Sequence, residues 1–374
     1  MTISTSMQIP ILNAKRQYES IGVELEQAVL EVMRSGQYIT AKYDKLLSEQ
    51  FAQLCGTKFA LPMGSGTEAL HLALAALGVG PGDEVITSPF SFIATAEAIS
   101  YLGATPVFVD IDPTTFNINP QLIEAKITPK TKVILPVHLY GLCADMQAIK
   151  AIAQKHNLKI VEDACQAVGA ASPQGMAGSL GDMGCFSFYP TKNLGASGEG
   201  GIVTTNDEAL YHKLKGLRAH GMYVRYYHEM IGYNARLDEI QCAVVSTKIK
   251  YLDKWNKRRQ EIAQKILGAL KNLPVKLPEV PAGYQHVFHQ FTLRVKNRDE
   301  VVKQLTEKGI ASGIYYPVPI HLQKAYAHFN FKVGLAPVAE QTANEVLSIP
   351  CYPELLDSEV DYMISVLKSV LAIA

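Results

Sequence analysis

The sequence predicts an α/β protein: a large domain with a mostly parallel sheet covered by helices, then a smaller α+β C-terminal domain. Two observations carry that expectation. From about residue 60, short apolar runs rich in Val and Ile alternate with amphipathic stretches, the pattern of successive βαβ units. After about residue 245 the alternation stops and a long helical stretch, a proline cluster and isolated strand patterns follow. The two domains are therefore expected over residues 1–245 and 246–374.

Each element follows from local pattern. FALPM (59–63), EVITS (84–88), TPVFVD (105–110), KVILPV (132–137) and KIVED (159–163) read as strands. They are nearly continuous in apolar character, as strands buried on both faces should be. TEALHLALAAL and MQAIKAIAQKH between them carry helical periodicity. Farther on, residues 237–270 read as one helix, 288–295 as a strand, and 299–308 and 360–371 as helices. Pro274, Pro278, Pro281 and Gly283 mark the loop before that strand. The KWNKRR run (254–259) reads most simply as a solvated helix face.

Composition narrows the function classes. The 374 residues are 48% hydrophobic and 19% charged, enough apolar material for large cores and too little charge for wholesale disorder. Lys plus Arg and Asp plus Glu are 35 each, so no electrostatic footprint for nucleic acid or an anionic membrane is expected. The longest apolar runs fall short of the roughly 20 residues of a membrane span. The opening MTISTSMQIP has no basic segment followed by an apolar stretch, so no signal peptide is expected. The six cysteines have no CxxC spacing. They are expected to be reduced, mostly buried thiols in the cytoplasm, with no metal site.

Three motifs carry chemistry. GSGTEAL (64–70) lies between a strand and a helix, where glycines let backbone N–H groups converge on an anion at the positive helix end. The same motif also reads as a tight βα turn with Thr67 as N-cap. It is neither GxGxxG nor the P-loop pattern, which argues against a Rossmann-type oxidoreductase. Asp163 closes a buried strand, on the sheet edge where open parallel sheets bind ligands. It could serve as N-cap, metal ligand or partner of a cationic ring. Lys192, in SFYPTKNLGASGEGG (187–201), sits among small and apolar neighbours directly after a strand. Partial burial there would lower its pKa and make the amine nucleophilic; a structural lysine bonded to carbonyls is the plainer reading. Together a phosphate cradle, an acid for a pyridinium nitrogen and a Schiff-base lysine are the requirements of pyridoxal 5′-phosphate.

With IPILNAKRQY (9–18), VITSPFSFIATAEAI, PVHLYG, EDACQA, GYNARLDEIQ (232–241), YYPVPIHLQ (315–323) and SIPCYPEL (348–355) added, the chain resembles the DegT/DnrJ/StrS-type sugar aminotransferases. These are pyridoxal phosphate enzymes of the aspartate aminotransferase-like fold (fold type I). The resemblance implies that Lys192 forms the covalent aldimine with the cofactor, Asp163 pairs with the pyridine nitrogen, and Gln166 reaches the ring's phenolic oxygen. It implies a phosphate cradle of Gly66, Thr67 and Ser187, with Phe92 stacked on the ring. Asn234 would come from the neighbouring subunit of a homodimer with shared sites. Tyr316 and His321 would lie near the sugar, and Arg225 and His228 are candidate contacts for its diphosphate, with a solvated loop as the plainer reading.

The implied reaction is transamination, with pyridoxamine 5′-phosphate as intermediate, from L-glutamate to a nucleotide-linked keto-sugar. KNLG and RYYHEMIGYNARLD look most like members acting on C3; C4 amination, a keto-cyclitol acceptor or a non-catalytic regulatory protein are the alternatives. Ala41 and Cys165 depart from the usual glycine and alanine. Lys192 itself argues against the branch that carries histidine there and dehydrates its substrate.

Overall fold

The computed structural model describes residues 7–372, so the first six residues of MTISTSMQIP and the last two of the chain lie outside it. Two helices, α1 (Ala14–Ser35) and α2 (Lys42–Cys55), precede the first strand, β1 (Phe59–Met63). Then α3 (Gly66–Ala76), β2 (Glu84–Thr87), α4 (Ala94–Ser100), β3 (Thr105–Phe108), β4 (Thr131–Leu135), α5 (Met146–His156) and β5 (Lys159–Asp163) follow in βαβ fashion. A hairpin of β6 (Ala171–Ser172) and β7 (Gly175–Met176) leads to β8 (Met183–Ser187) and β9 (Gly201–Thr205). The sheet order is β1-β9-β8-β5-β4-β2-β3. Strand β9 pairs antiparallel with both β1 and β8, and all other pairings are parallel. The mostly parallel sheet expected from the sequence is present.

Both faces of this sheet are covered, which explains the unbroken apolar runs. Odd-numbered side chains Leu61, Met63, Val85, Val133, Val161, Met183 and Val203 meet the inner stripe of α3. Even-numbered Ala60, Ile86, Ile134, Ile160, Phe186 and Ile202 meet Leu47 and Phe51 of α2 and Met146 and Ile149 of α5. The period of two along each strand sends alternate residues into two separate cores.

Beyond the sheet come α6 (Glu208–Leu217), an exposed hairpin of β10 (Met222–Val224) and β11 (Tyr227–His228), and α7 (Glu239–Lys248). The expected single helix over 237–270 is two. A 3₁₀ turn at Ile249–Tyr251 separates α7 from α8 (Leu252–Leu270). The remaining elements are β12 (Phe291–Arg294), α9 (Arg298–Glu307), α10 (Pro337–Glu345), β13 (Val346–Ile349) and α11 (Asp357–Leu371). Strand β12, shorter than expected, pairs antiparallel with β13. Ile262, Ile266 and Leu270 of α8 pack with Phe291, Leu347 and Leu367 in a further core, which Ile9 joins.

The KWNKRR run is a solvated face only at Lys254 and Lys257, with Arg258 half-buried. Trp255, Asn256 and Arg259 are all buried. Helical geometry puts positions 252, 255, 256, 259, 262, 263 and 266 on one side of α8, and that side carries three polar or amphipathic residues into the interior.

Candidate active site

A cavity of about 500 Å³ opens where the carboxyl ends of β5 and β8 meet the amino end of α3. Gly66, Thr67, Phe92, Asp163, Gln166, Ser187, Lys192 and Tyr316 all line it. Asn234, Arg225, His228 and His321 are not among its lining residues.

The glycine loop is the first wall. The N-cap of α3 is Ser65, not Thr67: its Oγ accepts from the Glu68 amide at 3.1 Å. The carboxylate of Glu68 in turn accepts from the backbone of Gly64 and Ser65. This Ser-x-x-Glu capping box is a legible signal in SGTE that the turn reading passed over. It occupies the Ser65 and Glu68 amides and leaves those of Gly66 and Thr67, which have no intrahelical partner, for an anion. The backbone is packed too closely here for any side chain. A Cβ on Gly66 would lie 2.7 Å from Ser187 Cβ and 3.1 Å from Cys165 Sγ.

Asp163 ends β5, 4% exposed. One carboxylate oxygen accepts from Thr95 Oγ1 at 2.7 Å, itself 2.8 Å from Ser91 Oγ; the other accepts from the Cys165 amide at 3.2 Å. The strand end is fixed by backbone bonds to Pro136 and His138 at 2.9 Å. Behind it, Glu162 is fully buried. It takes His138 Nε2 at 2.8 Å and the amides of Gly178, Leu180 and Gly181 at 2.6–2.8 Å. Since His138 Nδ1 accepts from the Ala144 amide at 3.1 Å, the ring proton lies on Nε2, facing Glu162.

Lys192 stands in the loop after β8, five residues past its end rather than directly on it. It is half-buried, and desolvation lowers its pKa, opposed by the nearby Cys165 thiol and the Asp163 carboxylate. No hydrogen bond engages its amine among the described residues. The plainer reading, a structural lysine on carbonyls, belongs instead to Lys248, whose Nζ donates to Gly195 O at 2.8 Å. The next residue, Asn193, ties the loop to α8 through Asn256 Oδ1 at 2.8 Å.

Gln166 receives the Tyr140 amide on Oε1 at 2.8 Å and donates from Nε2 to the Tyr316 hydroxyl at 3.1 Å. Burial raises the Tyr316 pKa, so the phenol stays protonated. Phe92 is at the mouth, 55% exposed, its ring 6.2 Å from that of Tyr316.

The other candidates lie elsewhere. His321 is buried against Glu340, its Nε2 at 2.9 Å. Arg225 rests over the Tyr226 ring at 5.0 Å, and His228 Nδ1 is 2.8 Å from His220 O; both belong to the exposed hairpin. Asn234 is exposed and accepts from Arg236 Nη2 at 2.6 Å. Sequence reasoning missed Arg259, His289 and Tyr352 on the far wall. Arg259, the second of two arginines in KWNKRR, carries no sign of burial in the sequence.

The sequence profile of the DegT/DnrJ/EryC1/StrS aminotransferase family matches residues 19–368. The chain is 47% identical over 362 residues to a pleiotropic regulatory protein of Geobacillus stearothermophilus, spanning 96% of this chain and 97% of that one. It is 46% identical over 371 residues to the UDP-N-acetyl-3-dehydro-α-D-glucosamine 3-aminotransferase of Acidithiobacillus ferrooxidans, spanning 99% and 100%. Among solved structures, that of S. venezuelae DesV in complex with a ketimine intermediate superposes with a TM-score of 0.95 at 41% identity, over 97% of this chain and 98% of that one.

Proposed function

The chain belongs to the DegT/DnrJ/EryC1/StrS aminotransferase family, a family of pyridoxal phosphate-dependent enzymes, and on that premise we propose that it transfers the amino group of L-glutamate to C3 of a keto-sugar linked to a nucleoside diphosphate. The products are an amino sugar and 2-oxoglutarate. The observation that carries the reading is the desolvated Lys192 amine in one cavity with the buried Asp163 carboxylate and the free amides of α3. Preference for C3 rests on the KNLG and RYYHEMIGYNARLD motifs and on the named activity of the Acidithiobacillus relative.

The cavity suits pyridoxal 5′-phosphate. The Gly66 and Thr67 amides with the Ser187 hydroxyl would hold its phosphate, the missing side chain at Gly66 letting the loop close against Ser187. Asp163, fixed by Thr95 and the Cys165 amide, would keep the pyridine nitrogen protonated. The cofactor supplies an electron sink for the pair left at the donor's Cα.

The residues around it have separate tasks. Lys192 would hold the cofactor covalently through Nζ. Once free, that amine, kept short of protons by desolvation, would accept the donor's Cα proton and deliver it to the cofactor carbon on the other side of the shared nitrogen. Gln166 Nε2, steadied by Tyr316, offers a hydrogen bond to the ring oxygen without adding charge. Phe92, at the mouth of the cavity, would cover the ring face by stacking.

A homodimer completes the site in this reading. Asn234 lies outside the cavity of its own chain and is exposed, so it is free to reach the phosphate of a second copy. Six free cysteines suit a reduced, cytoplasmic compartment. No helix among the described residues is long and apolar enough to cross a membrane. A regulator that binds cofactor without turnover is the second reading, favoured by the name of the Geobacillus relative.

An absorption spectrum separates the two. The enzyme's visible cofactor band gives way to the near-ultraviolet pyridoxamine band when L-glutamate is added, and a 3-keto nucleotide sugar restores it. A regulator leaves the visible band in place. Borohydride reduction followed by peptide mass analysis places the covalent link on Lys192 or removes it from the reading.

A further inference from the structure

Three arginines among the described residues are more than nine-tenths buried: Arg218, Arg259 and Arg294, each 4% exposed. Two are neutralised by the fold. Arg218 grips Asp44 with two nitrogens at 2.9 and 3.2 Å, and Arg294 reaches Glu345 at 2.7 and 2.9 Å. Arg259 has no carboxylate within ion-pair distance among the described residues. Its Nη1 donates to two backbone carbonyls, Phe288 O at 3.3 Å and Cys351 O, and its Nε has no partner among the described residues. It is also the only one of the three that lines the cavity.

A buried cation without an anion is costly, and chains keep one where a ligand provides the counter-charge. The same wall holds a second orphan: Tyr352, fully buried, has a hydroxyl with no partner among the described residues. His289, also on this wall, is held neutral by burial and by the charges of Lys192 and Arg259. It therefore adds no positive charge of its own. Cys351 beside Arg259 is a thiol whose pKa burial raises to about 12, so it supplies no anion at neutral pH. Glu354, the acid whose charge acts on Arg259, does so from beyond 4.0 Å.

We propose that Arg259, with Tyr352 of the same cavity, receives a carboxylate of the dicarboxylic amino donor and of the 2-oxo acid that leaves. This rests on the transamination reading above and names the subsite of the donor. A guanidinium fork matches a carboxylate in shape as well as charge. The small α3 wall and this wall then have different clients: the amides of Gly66 and Thr67 hold a resident phosphate, whereas Arg259 holds an anion that enters and leaves with each half-reaction.

Glutarate, a dicarboxylate with no amine to transfer, probes the subsite without turnover. Titrated into holoenzyme by calorimetry, it binds Arg259→Met roughly 10- to 100-fold more weakly than the parent, the loss expected for a charge-assisted hydrogen bond. Arg259→Lys recovers part of that loss, and Tyr352→Phe weakens glutarate by a smaller factor. In steady state KM for L-glutamate rises while KM for the nucleotide sugar holds. Unchanged glutarate binding in folded Arg259→Met, or a rise confined to the sugar's KM, overturns the proposal. If neither Arg259 variant folds, a crystal of the parent with glutarate decides: a carboxylate on Arg259 supports the subsite, and one seated elsewhere refutes it. Failure to aminate any keto-sugar strikes the transamination reading and leaves the glutarate titration to judge Arg259.

Discussion

The two walls of the cavity are built on opposite plans. On the sheet side, apart from the Lys192 amine and the open amides of α3, the polar groups are engaged before any ligand arrives. Asp163 is bonded to Thr95 and an amide, Gln166 to Tyr140 and Tyr316, and Ser65 and Glu68 to each other's backbone. On the far side, Arg259 Nε and the Tyr352 hydroxyl have no partner among the described residues. Satisfied groups on rigid strand ends suit a resident cofactor, because they hold one geometry at no cost of reorganisation. Unsatisfied groups suit a transient anion, which completes them on arrival. The contrast shows how one pocket can grip one molecule permanently and another briefly.

Breaking the sheet wall has the largest consequences. Lys192→Ala is expected to lose turnover by at least about 10³-fold, since both the covalent hold and the proton carrier go; single-turnover absorbance measures it. Normal activity in that variant would end the assignment. Asp163→Asn retains the size and loses the charge. Its rate should fall by roughly 10²-fold or more, with the cofactor still bound by spectrum. Gly66→Ala forces a Cβ to 2.7 Å from Ser187 Cβ. Such overpacking costs about 1–3 kcal/mol, seen as cofactor released on dialysis while the far wall still binds glutarate.

The smallest effect concerns the scaffold of the far wall. His286 stacks on Phe288 at 4.0 Å and accepts that residue's amide on Nδ1 at 2.8 Å, and burial drives its pKa down to about 3. A depressed folded pKa favours the native state above the unfolded value of about 6.5, and the contribution is lost as pH falls from there towards 3. His286→Gln should therefore flatten the acid limb of stability by up to about 1.4 kcal/mol per pH unit, read from urea melts at pH 7, 6 and 5. Parallel curves for both proteins would show that His286 does not carry this limb.

Much of the sheet wall was legible in the sequence. The strands ending at Met63 and Asp163 match β1 and β5 residue for residue, because short apolar runs bounded by Gly or polar residues leave little freedom in where a doubly buried strand stops. The cap of α3 was misplaced by two residues. Ser65 and Thr67 both have hydroxyls, and which one caps depends on the backbone angles at Ser65, in the extended region at φ −160°. The break at Ile249–Tyr251 inside an expected long helix was likewise invisible, since its residues have no helix-breaking chemistry.

The sequence by itself determined most strands of the sheet, the covering helices α3 and α5, and the lysine and aspartate near its edge. Those features are set by local periodicity and by spacing along neighbouring strands, which a chain displays in one dimension. Only the tertiary structure decided that Asn256 and Arg259 of a charged run face inward, that His321 is spent on Glu340, and that two buried arginines find carboxylates while the third does not. Partnership between residues 174 or 51 positions apart, as in Arg218–Asp44 and Arg294–Glu345, is a property of packing. No local pattern encodes it, because the charge that would neutralise Arg259 could have come from any distant turn of the chain.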